Sequence, residues 1–295
     1  MRANLYALAA IALWGALSAL SVSLQHVPPF LLTGVALMVG SVLAWPEVLK
    51  DRRQWRVTPR VLVLGVFTLF GFHFILFIAL RMAPAVEVNL VNYLWPLFIV
   101  VLAPFYLPGL RLRAVHVVAA LVGFVGAAIA ILGGAAPGDA AAGTSNAVVG
   151  ALASNPVLGY GLALVSALIW TNYSLQTKRL ELKGQGFSTA AIGLFGLISG
   201  VLSLACHAVL EPAVSLTLRD GLLLVLMGLG PLGAAFFLWD KALKLGDARH
   251  IGILSYLTPL LSTVMLMGVT HRALTWNIAL AAALIVGAAV MGTRR

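Results

Sequence analysis

Apolar residues along this chain fall into ten long runs, separated by short polar turns. The runs cover roughly 4–22, 30–46, 61–80, 87–107, 115–134, 157–177, 188–209, 221–240, 249–269 and 274–292. A helix needs about 20 apolar residues to cross a hydrocarbon core. Lipid offers no partners for backbone polar groups, so runs of this length predict helices rather than a barrel. No connection is long enough to fold as a separate soluble domain, and short connections make consecutive helices antiparallel neighbours. The expected fold is an all-α integral membrane protein with ten transmembrane helices.

One element of this pattern occurs twice. Ala79 to Leu97 reads ALRMAPAVEVNLVNYLWPL, and Ala242 to Leu260 reads ALKLGDARHIGILSYLTPL. At a constant offset of 163, seven of nineteen positions are identical, and Arg81 faces Lys244 across the alignment. Ala-Leu-Trp-Gly around Trp14 similarly parallels Ala-Leu-Ile-Trp-Thr around Trp170, with Ser18 matching Ser174. Each half then holds five spans, and an odd number inserts the second half upside down. The expected organisation is a first repeat over 1–134, an outer linker over 135–156 rich in Ala, Gly and Ser, and a second repeat over 157–295. Inverted repeats of this kind are built around midplane sites reached by alternating access.

Composition and charge agree with this reading. The chain is 61% hydrophobic and 9% charged, far below the charge of soluble domains. The net charge of +10 does not point to nucleic acid, because of where it lies. With the N-terminus inside, sixteen of nineteen basic residues are cytoplasmic, and only Arg81, Arg219 and Arg272 are outside. The positive-inside rule thus places both termini in the cytoplasm. The first run resembles a signal-peptide core, but the match between Trp14 and Trp170 argues that it is retained. Cys206 alone cannot form an intramolecular disulfide and is expected to be a buried small residue. Pairs of small residues at four-residue spacing, Gly196/Gly200, Ser199/Ser203 and Gly126/Ala130, predict close helix packing. Trp45, Trp55 and Trp276 fall near span ends and are expected to anchor at the headgroups.

Polar positions inside the runs carry the candidate chemistry. Span four places Asn89, Asn92, Tyr93 and Pro96 on one helix face, and span nine repeats the geometry with Gly252, Ser255, Tyr256 and Pro259. Such a stripe faces other helices or a wet cavity. Each proline removes a backbone bond, predicting kinks and freed carbonyls at Asn92 and Ser255. Span three aligns Phe70, His73, Phe74 and Phe77, and span eight aligns Gly233, Phe236, Phe237 and Asp240. His73 is open to three readings: a satisfied structural ring, a substrate contact or a proton carrier. Its expected partner is the polar surface of span four. Span one offers Trp14, Ser18 and Ser21, and span six offers Ser166, Trp170, Tyr173, Ser174 and Thr177. Together with Trp95 these predict an aromatic-walled cavity. For Trp239, at a span end, anchoring is expected, and for Glu87 and Asp240 solvation at helix ends.

No Asp, Glu, Lys or Arg occupies the middle third of any run. A central charge costs about 2.5–3.5 kcal/mol on insertion scales and usually marks function. The expected cavity is therefore neutral, which argues against a metal-cation pore and against phosphate-bearing substrates. It suits a small, partly flat, apolar molecule or a zwitterion. No metal-ligand cluster, nucleotide-binding domain or hydrolase motif appears, so neither cofactor nor catalysis is expected. A broader multidrug or metabolite carrier is the alternative within the transporter class. A membrane scaffold or a membrane-embedded enzyme is the alternative outside it.

The ten runs, the five-plus-five repeat and Asn-Tyr-Leu-Trp-Pro resemble the EamA-type drug/metabolite transporter superfamily. EVNLVNYLWPLF, from Glu87 to Phe98, is similar specifically to the YddG-type aromatic amino acid exporters. That resemblance implies a bacterial inner-membrane exporter of aromatic amino acids, expected to act as a monomer in the lipid bilayer. It carries site roles onto His73, Tyr93, Trp95, Pro96, Trp170, Tyr256 and Pro259. The expected binding set is these side chains together with Trp14, Asn89, Asn92, Tyr173 and Ser255, with Pro96 and Pro259 as hinges. In the second copy Thr258 replaces Trp95 and Ser255 replaces Asn92, so the site is expected to be asymmetric.

Overall fold

A computed structural model describes residues 2–134, 155–270 and 276–292. Among the described residues every regular element is a helix. Eight helices are long and apolar enough to cross a membrane: α1 (Arg2–Val22), α2 (Pro29–Lys50), α3 (Pro59–Met82), α4 (Ala85–Tyr106), α5 (Ala114–Leu132), α6 (Pro156–Leu182), α7 (Ala191–Leu210) and α8 (Leu218–Leu245). Shorter helices follow: α9 (Ala248–Leu254), α10 (Leu257–Thr270) and α11 (Trp276–Gly292). Among the described residues the ten apolar runs thus give eight full-length spans. The ninth run is cut at Ser255 and Tyr256, and the tenth gives a 17-residue helix. Most of the expected linker, 135–154, lies outside the described residues, as do Arg272, Arg294 and the side chain of Ser18.

Helix starts follow local chemistry. Pro29, Pro59 and Pro156 sit in first turns, where their missing N–H costs nothing. Thr58 and Asn155 accept the Val61 and Leu158 amides at 3.4 and 3.1 Å. Thr217 and Asp220 form a reciprocal capping box at the start of α8.

Interruptions inside the helices matter more to function. Within α3, Phe67–Gly71 form a π-turn, and within α8, Gly230–Ala234 form another. Within α4, Tyr93 and Leu94 leave the helix just before Pro96, and Ser255 and Tyr256 do the same before Pro259. At both sites the chain tightens to three-residue bonds. Leu94 N–H donates to Val91 at 3.1 Å and Tyr256 N–H to Ile253 at 3.2 Å. A proline that cannot donate to its i−4 carbonyl forces this tightening one turn upstream. The Ser255 carbonyl is not left free as expected, because it accepts the Thr258 amide at 3.0 Å.

Packing relies on small residues, as their spacing predicts. α2 lies against α7 through Gly34 and Gly200, and a Cβ on Gly200 would stand 2.8 Å from the Gly34 carbonyl. α5 lies against α11, where a Cβ on Gly126 would meet the Ala281 carbonyl at 3.1 Å. In lipid such contacts replace the hydrophobic drive that is absent between helices. Two expectations are corrected by burial. Trp239 is a fully enclosed core residue rather than a headgroup anchor, and Asp240 is fully enclosed rather than solvated. Both lie on the inner face of α8, which packs against α1 and α6. Cys206 is only half-buried, while Glu87 is exposed as expected.

Gly200→Leu should separate α2 from α7 and cost about 1–3 kcal/mol, the usual range for overpacking. Gly161→Ala, with nothing within 4 Å of its added methyl, should be neutral or stabilising. Thermal unfolding of the detergent-solubilised protein, followed by size-exclusion, checks both.

Candidate functional site

A cavity of about 490 Å³ opens between α1, α2, α3, α4, α6, α8 and α10. Its floor is aromatic: Trp14, Phe72, Trp95, Trp170 and Phe236 line it. These rings hold one another in place. Trp14 meets Trp170 edge-on at 5.7 Å, and Phe72 lies 5.7 Å from Trp170. Behind them, Trp239 stands 5.2 Å from Trp14 and 5.5 Å from Trp95 and donates its indole N–H to Ser174 at 3.2 Å. Edge-to-face pairs at such separations contribute about 0.5–1.5 kcal/mol each beyond their area burial, so the floor is rigid before any ligand arrives.

The helix interruptions place the polar walls. His73 lies two residues past the π-turn, and its Nδ1 is 2.6 Å from the Leu69 carbonyl inside that turn. A carbonyl only accepts, so Nδ1 carries the proton and a neutral ring keeps Nε2 as an acceptor. The partner of His73 is thus its own helix, not α4. On α4 the break after Asn92 leaves Asn89, Asn92, Tyr93 and Trp95 on the wall. The Ser166 hydroxyl holds the Asn92 amide, 2.8 Å from its Oδ1. The Thr171 hydroxyl reaches the Trp95 carbonyl at 3.2 Å, tying the broken turn to α6.

Seven expected binding residues therefore meet at one cavity: Trp14, His73, Asn89, Asn92, Tyr93, Trp95 and Trp170. Three stand apart. Tyr173 is buried beside Trp170, with ring centres 5.8 Å apart. Ser255 is enclosed and donates to the Gly252 carbonyl at 2.6 Å. Tyr256 turns toward α5, where Gly123 leaves room for its ring: a Cβ there would stand 2.5 Å from it. Thr258, the repeat equivalent of Trp95, also lines the cavity. Pro96 is buried in the first turn after the α4 break.

Sequence reasoning missed several wall residues. Gln25 and Thr33 come from the α1–α2 turn and the start of α2, which no periodicity ties to the site. Arg81 lies on the wall too, and there the signal existed. His73, Phe77, Leu80 and Arg81 follow i, i+4, i+7, i+8 on one face of α3. Among the described lining residues Arg81 is the one Lys, Arg, Asp or Glu.

The two ends of the bundle differ. At the α1–α2 turn the cavity reaches the surface beside exposed Gln25. Below the floor, the end of α8 is sealed by charge. Lys244 Nζ donates to Asp240 Oδ2 at 2.7 Å and to the Phe187 carbonyl at 2.6 Å, and it stacks 4.2 Å over the Phe187 ring. Thr189 donates to the same Asp240 oxygen at 2.6 Å, and Lys178 to the Lys244 carbonyl at 2.9 Å. Among the described residues no three His, Cys, Asp or Glu side chains stand together as a metal site.

The chain is similar to known transport proteins over nearly its whole length. The chain is 38% identical to the aromatic amino acid exporter YddG of Ancylobacter novellus, over 99% of this chain and 96% of that protein. It is 27% identical to the protein of the same name from Salmonella typhimurium, over 90% of this chain and 87% of that one. A crystal structure at 37% identity superposes with a TM-score of 0.85, covering 99% of this chain and 97% of its own. The profile of the EamA-like transporter family matches residues 1–132 and 157–293. With its many apolar helices, this chain is a multi-pass membrane protein and belongs to the EamA-like transporter family.

Proposed function

We propose that this protein exports aromatic amino acids across the bacterial inner membrane by alternating access, as a monomer with both termini in the cytoplasm. The observation that carries the proposal is the preformed floor of Trp14, Trp95 and Trp170 beneath the polar groups of His73, Asn92 and Tyr93. An indole or phenyl ring stacks on the floor, and the polar walls take the charged head. The YddG exporters that the chain resembles are named for this cargo.

In this reading α9 and α10 together make a ninth crossing and α11 a tenth, giving two five-span halves over 1–134 and 157–295. Repetition of the irregular backbone supports it. The π-turns at Phe67–Gly71 and Gly230–Ala234 and the helix ends at Met82 and Leu245 are separated by 163 residues, and the breaks at 93–94 and 255–256 fall within one residue of that offset. Packing is cross-paired in the same sense. α1 lies on α8 and α10 while α6 lies on α3 and α4, and α2/α7 and α5/α11 form pairs. That is the pattern of a pseudo-two-fold, which an odd number of spans turns into an inversion. The family match in two segments fits it as well.

Charge orientation makes the α1–α2 turn the outer end, so the cavity is open outward. Tyr93 faces the open cavity while its repeat partner Tyr256 is buried against Gly123, the difference expected when one half is open and the other closed. Release of cargo then leaves an empty cavity. Its return requires Lys244 to let go of Asp240 and Phe187, while α3, α4 and α8 to α10 bend at their interruptions.

Protein reconstituted in liposomes should exchange internal and external radiolabelled phenylalanine, and tryptophan should compete. Flux equal to that of protein-free liposomes removes the assignment. Trp95→Ala takes away one floor ring and should weaken phenylalanine binding about tenfold, consistent with losing a well-packed aromatic contact; unchanged affinity in calorimetry would mean that the indole is not part of the site. Lys244→Met strands a buried carboxylate and should cost about 3–5 kcal/mol, whereas the double change with Asp240→Asn should recover most of it. Unfolding of both variants by heat measures the difference, and hydrogen exchange over 183–190 should rise in the single variant.

A further inference from the structure

The two repeat-equivalent cations, Arg81 and Lys244, are engaged very differently. Lys244, at the sealed end, spends its donors on Asp240 and Phe187 and packs its charge on the Phe187 ring. Arg81, on the cavity wall, makes one long hydrogen bond from Nη2 to Glu211 Oε1 at 3.3 Å, and its guanidinium stands 5.9 Å from the centre of the Phe30 ring, farther than Lys244 from Phe187. Glu211 does not depend on that contact. Its enclosed carboxylate already accepts the Phe30 and Leu31 amides at the start of α2, at 3.0 and 3.2 Å, and His207 Nδ1 at 3.0 Å. The positive end of a helix and a histidine thus balance the carboxylate. A guanidinium has five N–H donors arranged as a fork, and a single 3.3 Å contact leaves most of them for another acceptor.

The position suits an amino acid. Arg81 lies eight residues beyond His73 on the same face of α3, about 12 Å along the axis. Helical side chains lean toward their N-terminus, which on α3 is into the cavity. A ring stacked on the tryptophan floor holds its carboxylate partway up this wall, within the reach of an extended arginine. Other polar wall groups, such as Ser21, Gln25, Thr33, Asn89, Asn92 and Tyr93, are neutral hydrogen-bonding side chains that offer no comparable charge.

Resting on the function proposed above, we propose that Arg81 reads the carboxylate of the cargo and makes this protein selective for aromatic solutes bearing one. The rings provide the affinity common to aromatic molecules, and the guanidinium separates amino acids from aromatic amines and amides of the same shape.

Calorimetry on the full-length protein in detergent tests this with two ligands, L-phenylalanine and L-phenylalaninamide, which share the ring and ammonium and differ in the carboxylate. Wild-type protein should bind phenylalanine at least about tenfold more tightly, the worth of one charge-assisted hydrogen bond. Arg81→Gln should abolish the difference by weakening phenylalanine alone, its undiminished phenylalaninamide binding showing that the cavity is intact. Arg81→Lys, which keeps the charge and loses the fork, should fall between. Equal wild-type affinities overturn the inference and leave the aromatic site standing, as does discrimination that persists in Arg81→Gln. If that variant does not fold, an Arg81→Lys protein that discriminates as well as wild type overturns the two-pronged recognition. Failure of wild type to bind either ligand overturns both this inference and the function it rests on.

Discussion

Inside lipid, a backbone amide or carbonyl without a partner costs several kcal/mol, so irregular chain survives only where protein covers it or a cavity wets it. This protein interrupts its helices at few places, and the interruptions surround the functional site. The π-turn at Phe67–Gly71 offers the Leu69 carbonyl to His73, and the break at Tyr93 and Leu94 puts Asn92, Tyr93 and Trp95 on one wall. Neighbouring hydroxyls cover the weakened turns. Thr171 reaches the Trp95 carbonyl, and Ser166 holds the Asn92 amide. The same departures that orient the side chains also loosen the rods, so site and hinge coincide.

Charge is distributed by the same rule. The middle of the cavity is neutral, and the enclosed carboxylates lie at the ends of the bundle, each with several donors. Asp240 is held by Lys244 and Thr189, and Glu211 by two amides, His207 and Arg81. A buried ion pair such as Asp240–Lys244 adds little to net stability, but removing its cation is costly, whereas Glu211 keeps its other donors without Arg81. Such pairs therefore suit ends that must be either firmly shut or fully parted.

Much of the fold was legible because membrane helices obey simple length and polarity rules. Asn89, Asn92 and Tyr93 could be placed from spacing alone, since a polar stripe on an apolar helix has to face inward. Trp14 and Trp170 could be paired through the repeat. The reading went astray where position along a span was used as a measure of depth. Trp239 and Asp240 sit near the end of an apolar run, yet α8 extends to Leu245 and packs that end inside the bundle, so neither reaches headgroups or water. Arg81 went unrecognised for the same reason: a charge at a span end reads as solvated until a neighbouring helix shows it on a cavity wall.

The helical class, the close packing at small residues, the repeated proline breaks and the residue types that meet in the cavity are all readable from the chain alone. All of these are short-range consequences of hydropathy, helical period and proline geometry. Which copy of the repeat faces the cavity depends instead on the folded arrangement of the helices. Tyr93 and Tyr256 share the same local sequence, but Gly123 gives Tyr256 a berth against α5, and Thr258 rather than a tryptophan takes the facing wall. Likewise Arg81 and Lys244 are chemically alike, and their different roles come from whether a carboxylate already satisfied by other donors, or one that needs the cation, stands beside them. Those outcomes depend on contacts between residues far apart in the chain, which local periodicity cannot encode.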